Sequence, residues 1–498
     1  MKTLSLLALL CCCSPQPAEL VVVNGSELDS FDPQLATSAA SARLLSAVFD
    51  CLTAIDPATG DLRAELATSW TASDSNRQWR FRLRSDARWS DGSALTLIDV
   101  RDSWKRLQRP STAAPYADWL AGAKIEIVDG ALQVNFGTPQ PLFAIYCAYH
   151  ALAPIPEQLR DSAPGVLPDS MVYSGHYTIA ERHIRDFSRL EINPQHPDFS
   201  ERSFKTIDFL SVDSQWTALN LYLDEQVDFI PAVPQLAVAK LQQQYPQSLD
   251  VSPSFASYFI RLQQQDGSLL SNKNLRKALA HSIDREQLVA LIGGERQAAY
   301  AFIPTLLDRY TSRIAIKYDA VEARQALAIA KTELNLDAIS IDYLYPASEM
   351  NRVIAEFLQQ QWHSVLGIKV SLNQLEAKSF FPLQSAGDYQ ASHSTWIGDY
   401  YDPYTFLELF RSEHRNNRSF FSNANYDKLL DDAQHCVDQQ LRLEILSAAE
   451  ELLLSEYALI PLCFDSNMQL LRPSISGHTA NKFGIIEWHN LSREPQHD

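Results

Sequence analysis

The loop Gly398-Asp399-Tyr400-Tyr401-Asp402-Pro403 sets two carboxylates among aromatic rings, directly after the apolar run Gln390 to Ile397. A carboxylate there offers negative charge and acceptor oxygens to a cationic group, or it caps its own turn. These residues alone leave both roles open. Beyond this loop, chemistry-bearing patterns are sparse. HExxH, GxSxG, HxE…CxxC, GxGxxG and GxxxxGK[ST] are all absent, which weakens metalloprotease, hydrolase, deaminase, dinucleotide and P-loop readings. The carboxylate pairs Asp431-Asp432 and Glu450-Glu451 fall on helical patterns and read as solvated faces. The 12 histidines are scattered, and His281 reads as a core or surface residue rather than a catalytic one. Cys51, Cys147, Cys436 and Cys463 lie far apart without a CxxC, so they read as free buried thiols and not as a metal knuckle. No catalytic residue, metal site or cofactor emerges, and a binding protein is the better default than an enzyme.

The elements that must position the loop are legible from periodicity. Leu20 to Val23 form a short β-branched run closed by Asn24-Gly25. Trp79, Phe81 and Leu83 alternate with Arg80, Arg82 and Arg84, the period of a half-buried strand, and Asp91-Gly92 supplies a turn. Thr96 with Asp99 three residues on predicts a helix start, with Val100, Trp104 and Leu107 on one face. From residue 271 the pattern becomes α/β. Leu275, Leu279, Ile283 and Leu288 predict helix with a break at Ser282 to Asp284. Ile339, Ile341, Tyr343 and Tyr345 alternate as a strand; Met350, Val353, Ile354, Phe357, Leu358 and Trp362 recur as an amphipathic helix ended by Gly367; Ile368, Val370 and Leu372 begin the next strand. One strand–helix–strand unit predicts a partly parallel sheet. In such sheets ligands gather at the loops beyond the strands' carboxyl ends, and the loop after Ile397 is one of these.

Composition bounds the function class. A chain of 498 residues has room for roughly three domains at about 150 residues each. Apolar residues at 46% and charged ones at 20% are globular values that exclude wholesale disorder. With Lys+Arg 42 against Asp+Glu 60, the formal charge of −18 repels phosphate backbones, so nucleic acid and anionic membrane surfaces are poor partners. No window offers 18 uninterrupted apolar residues; Pro141 to Pro156 is broken by proline at both ends and contains His150.

The first 14 residues have one lysine, a short leucine-rich core and then Cys11-Cys12-Cys13-Ser14, the shape of an export signal too short to span a bilayer. The end of this stretch resembles the lipobox of bacterial lipoproteins. Cys13, with Leu10 three residues before it, fits best as the acylated residue, and Cys12 is next; cysteines stand where Ala, Ser or Gly is usual. Residues 1–13 are expected to be the signal. The anchored chain would then lie in the periplasm or cell envelope.

Four stretches in order resemble the oligopeptide/dipeptide-binding family of solute-binding proteins that serve ABC importers (bacterial extracellular solute-binding protein family 5). They are Asn24 to Pro33; Leu66 to Trp70 with Trp79 to Arg84, Trp89 to Gly92 and Asp99-Val100; Asn274 to Arg285; and Trp396 to Pro403. The resemblance implies an α/β, two-lobed periplasmic-binding-protein-like fold with a hinge and three structural domains. Residues 14–46, 172–255 and 472–498 would form a discontinuous lobe I, 47–171 a smaller inserted domain, and 256–471 the α/β lobe II. It also implies a monomer that encloses a peptide between lobes and hands it to permease subunits, with no covalent chemistry and no cofactor.

A free peptide carries an ammonium at one end and a carboxylate at the other, and each must meet a partner when water is stripped away. By the resemblance, Asp399 matches the family's aspartate for the ligand's amino terminus, and Tyr116 matches a tyrosine reaching into the cleft from the inserted domain. Trp396 either lines the cleft or belongs to the core, and Ile397 and Ser394 would give backbone or small polar contacts. The chain departs from relatives elsewhere. Ala256 and Ile397 stand where relatives often carry cysteines, consistent with a lost disulfide. Asn351 and Gln384 replace basic or imidazole positions near the ligand's carboxylate, with Arg352 beside the former. His393 stands where relatives have an arginine, and Ser41 where some have an acidic residue. Arg309 or Arg352 would substitute as carboxylate partners. Two other readings stay open: the same fold binding a non-peptide solute (metal chelate, haem, opine, sugar), and an exported enzyme or structural lipoprotein on this scaffold.

Overall fold

The computed structural model describes residues 17–493 apart from 169, 308, 479, 480, 482 and 483; the export signal, with Cys12 and Cys13, lies outside the described residues. Eleven strands form one mixed sheet. In spatial order they run Lys369–Leu375, Ser340–Pro346, Ala391–Ile397, Leu249–Leu262, Leu459–Leu471, Phe229–Ile230, Leu20–Gly25, Thr206–Ser211, Phe187–Ile192 and Tyr177–His183, with Gln297–Ala298 branching onto Leu459–Leu471. Two long antiparallel strands join the halves of this sheet. Leu249 to Pro253 pair with Ser466 to Leu470 on one side, and Ser257 to Arg261 pair with Leu459 to Phe464 on the other. The register shifts between Pro253 and Ser257, where proline has no N–H to give the ladder.

The strand–helix–strand unit forms as its periodicity predicts. Ser340–Pro346 and Lys369–Leu375 are parallel neighbours joined by the helix Glu349–Leu366. That helix starts at Ser348, whose side chain accepts the Asn351 N–H, and ends at Gly367 with φ +67, a left-handed cap that glycine adopts without steric cost. The expected break near Ser282 is also present: helices Lys273–His281 and Arg285–Ile292 flank it, and Asp284 caps the second by accepting the Gln287 N–H at 3.1 Å. His281 is held by Lys317 O at 2.8 Å and Tyr457 Oη at 3.1 Å, a structural role.

A separate four-stranded sheet, in the order Ala67–Ser73, Gln78–Leu83, Ala131–Asn135, Lys124–Val128, lies beside the helix Leu97–Leu107. Trp79, Phe81, Trp104 and Phe143 pack edge-to-face and stacked between them, with Trp104 and Phe143 centroids 5.5 Å apart. The Thr96 N–H donates to Asp99 Oδ2 at 2.9 Å, closing the start of the helix.

Two expectations are corrected. Glu450 is fully buried rather than solvated. Its carboxylate accepts the Phe302 and Ile303 N–H groups, both at 2.9 Å, the Tyr310 hydroxyl at 2.8 Å and the Ser312 hydroxyl. The helix Gln439–Ser455 is covered at this position by a loop whose donors need an acceptor; burial pushes the Glu450 carboxyl up, and the four hydrogen bonds oppose the shift. Among the four unpaired thiols, Cys147 and Cys463 are buried, but Cys51 and Cys436 are only partly so.

Candidate functional site

The sheet delivers the strand Ala391–Ile397 antiparallel to Leu249–Leu262, with Ala256 directly opposite Ile397. The two positions at which the family resemblance leads one to look for cysteines are therefore cross-strand neighbours. The strand then enters the carboxylate loop, whose geometry separates the two acids. Asp402 is buried and forms two hydrogen bonds with the equally buried Arg442, at 2.6 and 2.8 Å, while its Oδ1 accepts the Tyr404 N–H at 2.9 Å. This fork-to-fork pair fixes the loop. Gly398 is required here, because a Cβ would lie 2.4 Å from the Phe255 ring.

Asp399 is different. Its backbone N–H donates to Thr405 Oγ1 at 3.2 Å, but its carboxylate has no hydrogen-bond partner among the described residues. Burial pushes this carboxyl up to about 6, with the charge of Arg415 opposing the shift. It stands close to the segment that carries Tyr116. Its charge is felt by Tyr116, whose hydroxyl is pushed up to about 12 by burial first and Asp399 second. Tyr116 shares a hydrogen bond with the Tyr149 hydroxyl at 3.1 Å and packs on Trp119 at 4.6 Å. Tyr146 meets Tyr400 at 5.0 Å, and the Arg415 guanidinium donates to Pro115 O at 2.6 Å.

A cavity of about 740 Å³ lies between the two halves of the long sheet. Gln215, Trp216 and the segment 231–236 form one wall; Tyr258, Phe380, Gln384 and the strand residues His393 to Trp396 form the other. Ser394, Trp396, His393 and Asn351 thus border the cavity. The Trp396 indole N–H donates to Thr405 Oγ1 at 3.4 Å, the same hydroxyl that holds the Asp399 backbone, so the tryptophan links cavity wall to acidic loop. Asn351 donates to Pro346 O at 3.0 Å. His393 is buried and pushed down to about 4, so at neutral pH it carries no charge for a carboxylate. The remaining expected residues stand outside this lining. Ile397 is 63% exposed. Arg352 turns outward to an ion pair with Glu356 at 2.9 Å, and Arg309 borders a smaller cavity of about 210 Å³ with Tyr401 and Asp402. Asp399 and Tyr116 sit beyond Trp396 rather than on the cavity wall.

Three arginines that sequence reasoning missed border the cavity: Arg261, Arg296 and Arg418. Arg296 is committed to Asp465 at 2.9 Å. Arg261 is buried, donates to Ser394 Oγ at 2.8 Å and Asn416 O at 3.2 Å, and burial pushes its guanidinium down to about 10. Arg418 donates to Gln384 Oε1 at 2.9 Å. Neither Arg261 nor Arg418 forms an ion pair with a carboxylate among the described residues. Positive charge therefore reaches the Gln384 position from a different loop, 34 residues on. The only signal in the sequence was the cluster of basic residues at 411–418, whose approach to Gln384 depends on the tertiary fold.

The chain belongs to the bacterial extracellular solute-binding proteins, family 5, whose family model matches residues 61–418. Its fold is the two-lobed α/β architecture of these proteins. It is 26% identical over 490 residues to the periplasmic murein peptide-binding protein MppA of Escherichia coli (strain K12), covering 93% of this chain and 90% of that protein. The solved structure of the Escherichia coli murein tripeptide-binding protein MppA matches with TM-score 0.83 at 25% identity, over 96% of this chain and 99% of that one. Haemophilus influenzae OppA in complex with RPPGFSPFR matches with TM-score 0.80 at 26% identity, over 95% and 98%.

Proposed function

We propose that this chain is an extracytoplasmic substrate-binding protein of an ABC importer, capturing peptides between its lobes by hinge closure and delivering them to a membrane permease. One observation carries the peptide assignment: Asp399 holds a desolvated carboxylate with no hydrogen-bond partner among the described residues, on a loop locked by Asp402 and Arg442. A positive ligand group placed there satisfies it, and a peptide's terminal ammonium has the right charge and donor geometry. Trp396 and Ser394 support the bound chain from the cavity wall, with Tyr116 closing the ammonium end. For the ligand's carboxylate the structure favours Arg418 and Arg261 over Arg309 and Arg352, because only the former pair borders the cavity. Free amino and carboxyl ends favour a peptide over a haem or sugar, and capture needs no turnover.

The hinge lies where the two long strands lose register, around residues 253–257 and 464–466. Lobe I then comprises 14–46, 172–255 and 472–498, the inserted domain 47–171, and lobe II 256–471. Acylation at Cys13, or next at Cys12, holds the monomer to the membrane. Calorimetric titration with a random tripeptide pool tests the ligand class against pools acetylated at the amino end or amidated at the carboxyl end. Free peptides bind, and each blocked pool binds at least tenfold more weakly. Equal affinity of free and acetylated pools removes Asp399 from its assigned role.

A further inference from the structure

Histidines scattered in the sequence converge where the start of the inserted domain, lobe I and the C-terminal segment meet. Asp50 follows the helix Ala39–Val48, His176 precedes the strand Tyr177–His183, His196 lies in the turn after Phe187–Ile192, and His489 belongs to the turn Trp488–Asn490. Asp50, His176 and His196 each bring one donor atom to within 4.8 Å of the others. The His176 ring centroid is 3.7 Å from that of His196 and 3.7 Å from that of His489, the latter pair stacked with planes 6° from parallel. Asp50, His176 and His196 are 8%, 9% and 3% exposed. None of these four residues borders the 740 Å³ cavity.

We propose that Asp50, His176 and His196 bind a divalent transition-metal ion of the zinc or nickel type, with the His489 ring stacked beside His176. Imidazole nitrogens with one carboxylate suit those ions and not calcium or magnesium, which require oxygen-rich shells. The second observation is the state of His176. It is nine-tenths buried, yet neither ring nitrogen has a hydrogen-bond partner among the described residues, and the His489 ring has none either. The His176 nitrogens are not wholly sealed from solvent, so an ion can reach them without first breaking a hydrogen bond. Glu65 also lies near Asp50, and its own carboxylate is paired with Arg63 at 3.2 Å.

Loading requires one local rearrangement. The Asp198 N–H donates to His196 Nδ1 at 3.1 Å, so Nε2 carries the ring proton and donates it to Asp50 at 2.8 Å. Coordination through Nε2 moves that proton to Nδ1, keeping the ring neutral, and the Asp198 amide turns away. Asp50 then contributes its oxygen to the ion in place of accepting from His196. Bound metal would tie three separate chain segments together and stabilise the folded state by mass action.

The untagged protein, stripped with chelator, is titrated calorimetrically with Zn²⁺ and separately with Ni²⁺. The expected result is one ion per chain with low-micromolar or tighter affinity for at least one of the two, and a raised thermal midpoint. His176→Ala and, separately, Asp50→Asn lower affinity at least tenfold while circular dichroism and peptide binding stay as in the parent. Should His176→Ala fail to fold, Asp50→Asn and the parent titration decide. Absence of saturable binding by the parent at 100-fold excess metal, or unchanged affinity in folded variants, overturns the site. Peptide binding is read independently, so a failure of the metal site is distinct from a failure of the transport reading.

Discussion

Replacing Asp399 by Asn separates a ligand-binding carboxylate from a structural one by the signs of two measured effects. In the unliganded protein the carboxyl moves from its ordinary 3.8 to about 6, chiefly through burial. At about 1.4 kcal/mol per tenfold in equilibrium, that is up to roughly 3 kcal/mol of strain in the ionised form, and partial exposure reduces it to about 1.5 kcal/mol. The direction follows from proton binding: the folded chain holds this proton more tightly than the unfolded one. Its contribution to stability is therefore greatest below pH 3.8, falls as pH rises through the interval to about 6, and remains a constant deficit above. Asp399→Asn removes the deficit, raising the melting midpoint of the unliganded protein by about 1–2 °C at pH 7.5 for a chain this large. At pH 4 the two proteins melt nearly together. Peptide binding moves oppositely: loss of a charge-assisted bond of about 1.5–3 kcal/mol weakens affinity roughly 10- to 150-fold. Differential scanning fluorimetry and calorimetry of the same samples give both numbers. A lower midpoint with unchanged affinity would refute the reasoning and leave Asp399 as a turn cap.

Three further outcomes follow from the same geometry. Affinity for free peptides should fall by up to about tenfold per pH unit below 6, since the ligand must displace the proton of Asp399; calorimetry between pH 5 and 8 measures it, and acetylated peptides should show little of this slope. Arg418→Gln should weaken free peptides about 10- to 100-fold while leaving amidated ones nearly unchanged, compared by competition against a fluorescent peptide. Asp402→Ala strands a buried guanidinium and should cost about 3–5 kcal/mol in denaturant unfolding, with most of the loss restored in a double variant carrying Arg442→Met.

Much of the frame was legible because local rules and tertiary context agree. Thr96 with Asp99, the Ser282–Asp284 break and Gly367 each mark a boundary through a cap or a left-handed residue, and the structure places helix ends at all three. Alternation marked Ser340–Pro346 and the start of Lys369–Leu375, where buried and exposed residues alternate at first, whereas Ala391–Ile397 begins with four buried residues and shows no such period. The site itself was only half legible. Asp399 and Trp396 share one loop and strand, but it was the family resemblance, not their spacing, that pointed to them. Arg418 and Arg261 reach the cavity from separate segments, and chain spacing holds no trace of that meeting. Glu450 read as solvated because a pair of acids on a helix usually is; the loop covering it, with Tyr310 and Ser312, comes from 138–140 residues earlier. The same long-range convergence hid Asp50, His176, His196 and His489.

The shared ladder of Leu249–Leu262 and Leu459–Leu471 sets how the molecule moves. Two lobes hung on loose tethers would swing through many angles, each with its own orientation for the cleft walls. Here one ladder runs through both halves of the sheet, so with the proposed hinge at the irregular step near Pro253 opening would be torsion of that ribbon, a stiff spring with one soft coil. A torsion spring has few low-energy positions. The protein should therefore return to the same shut geometry after each release, and a permease can recognise the loaded state by shape whatever residues the cargo carries.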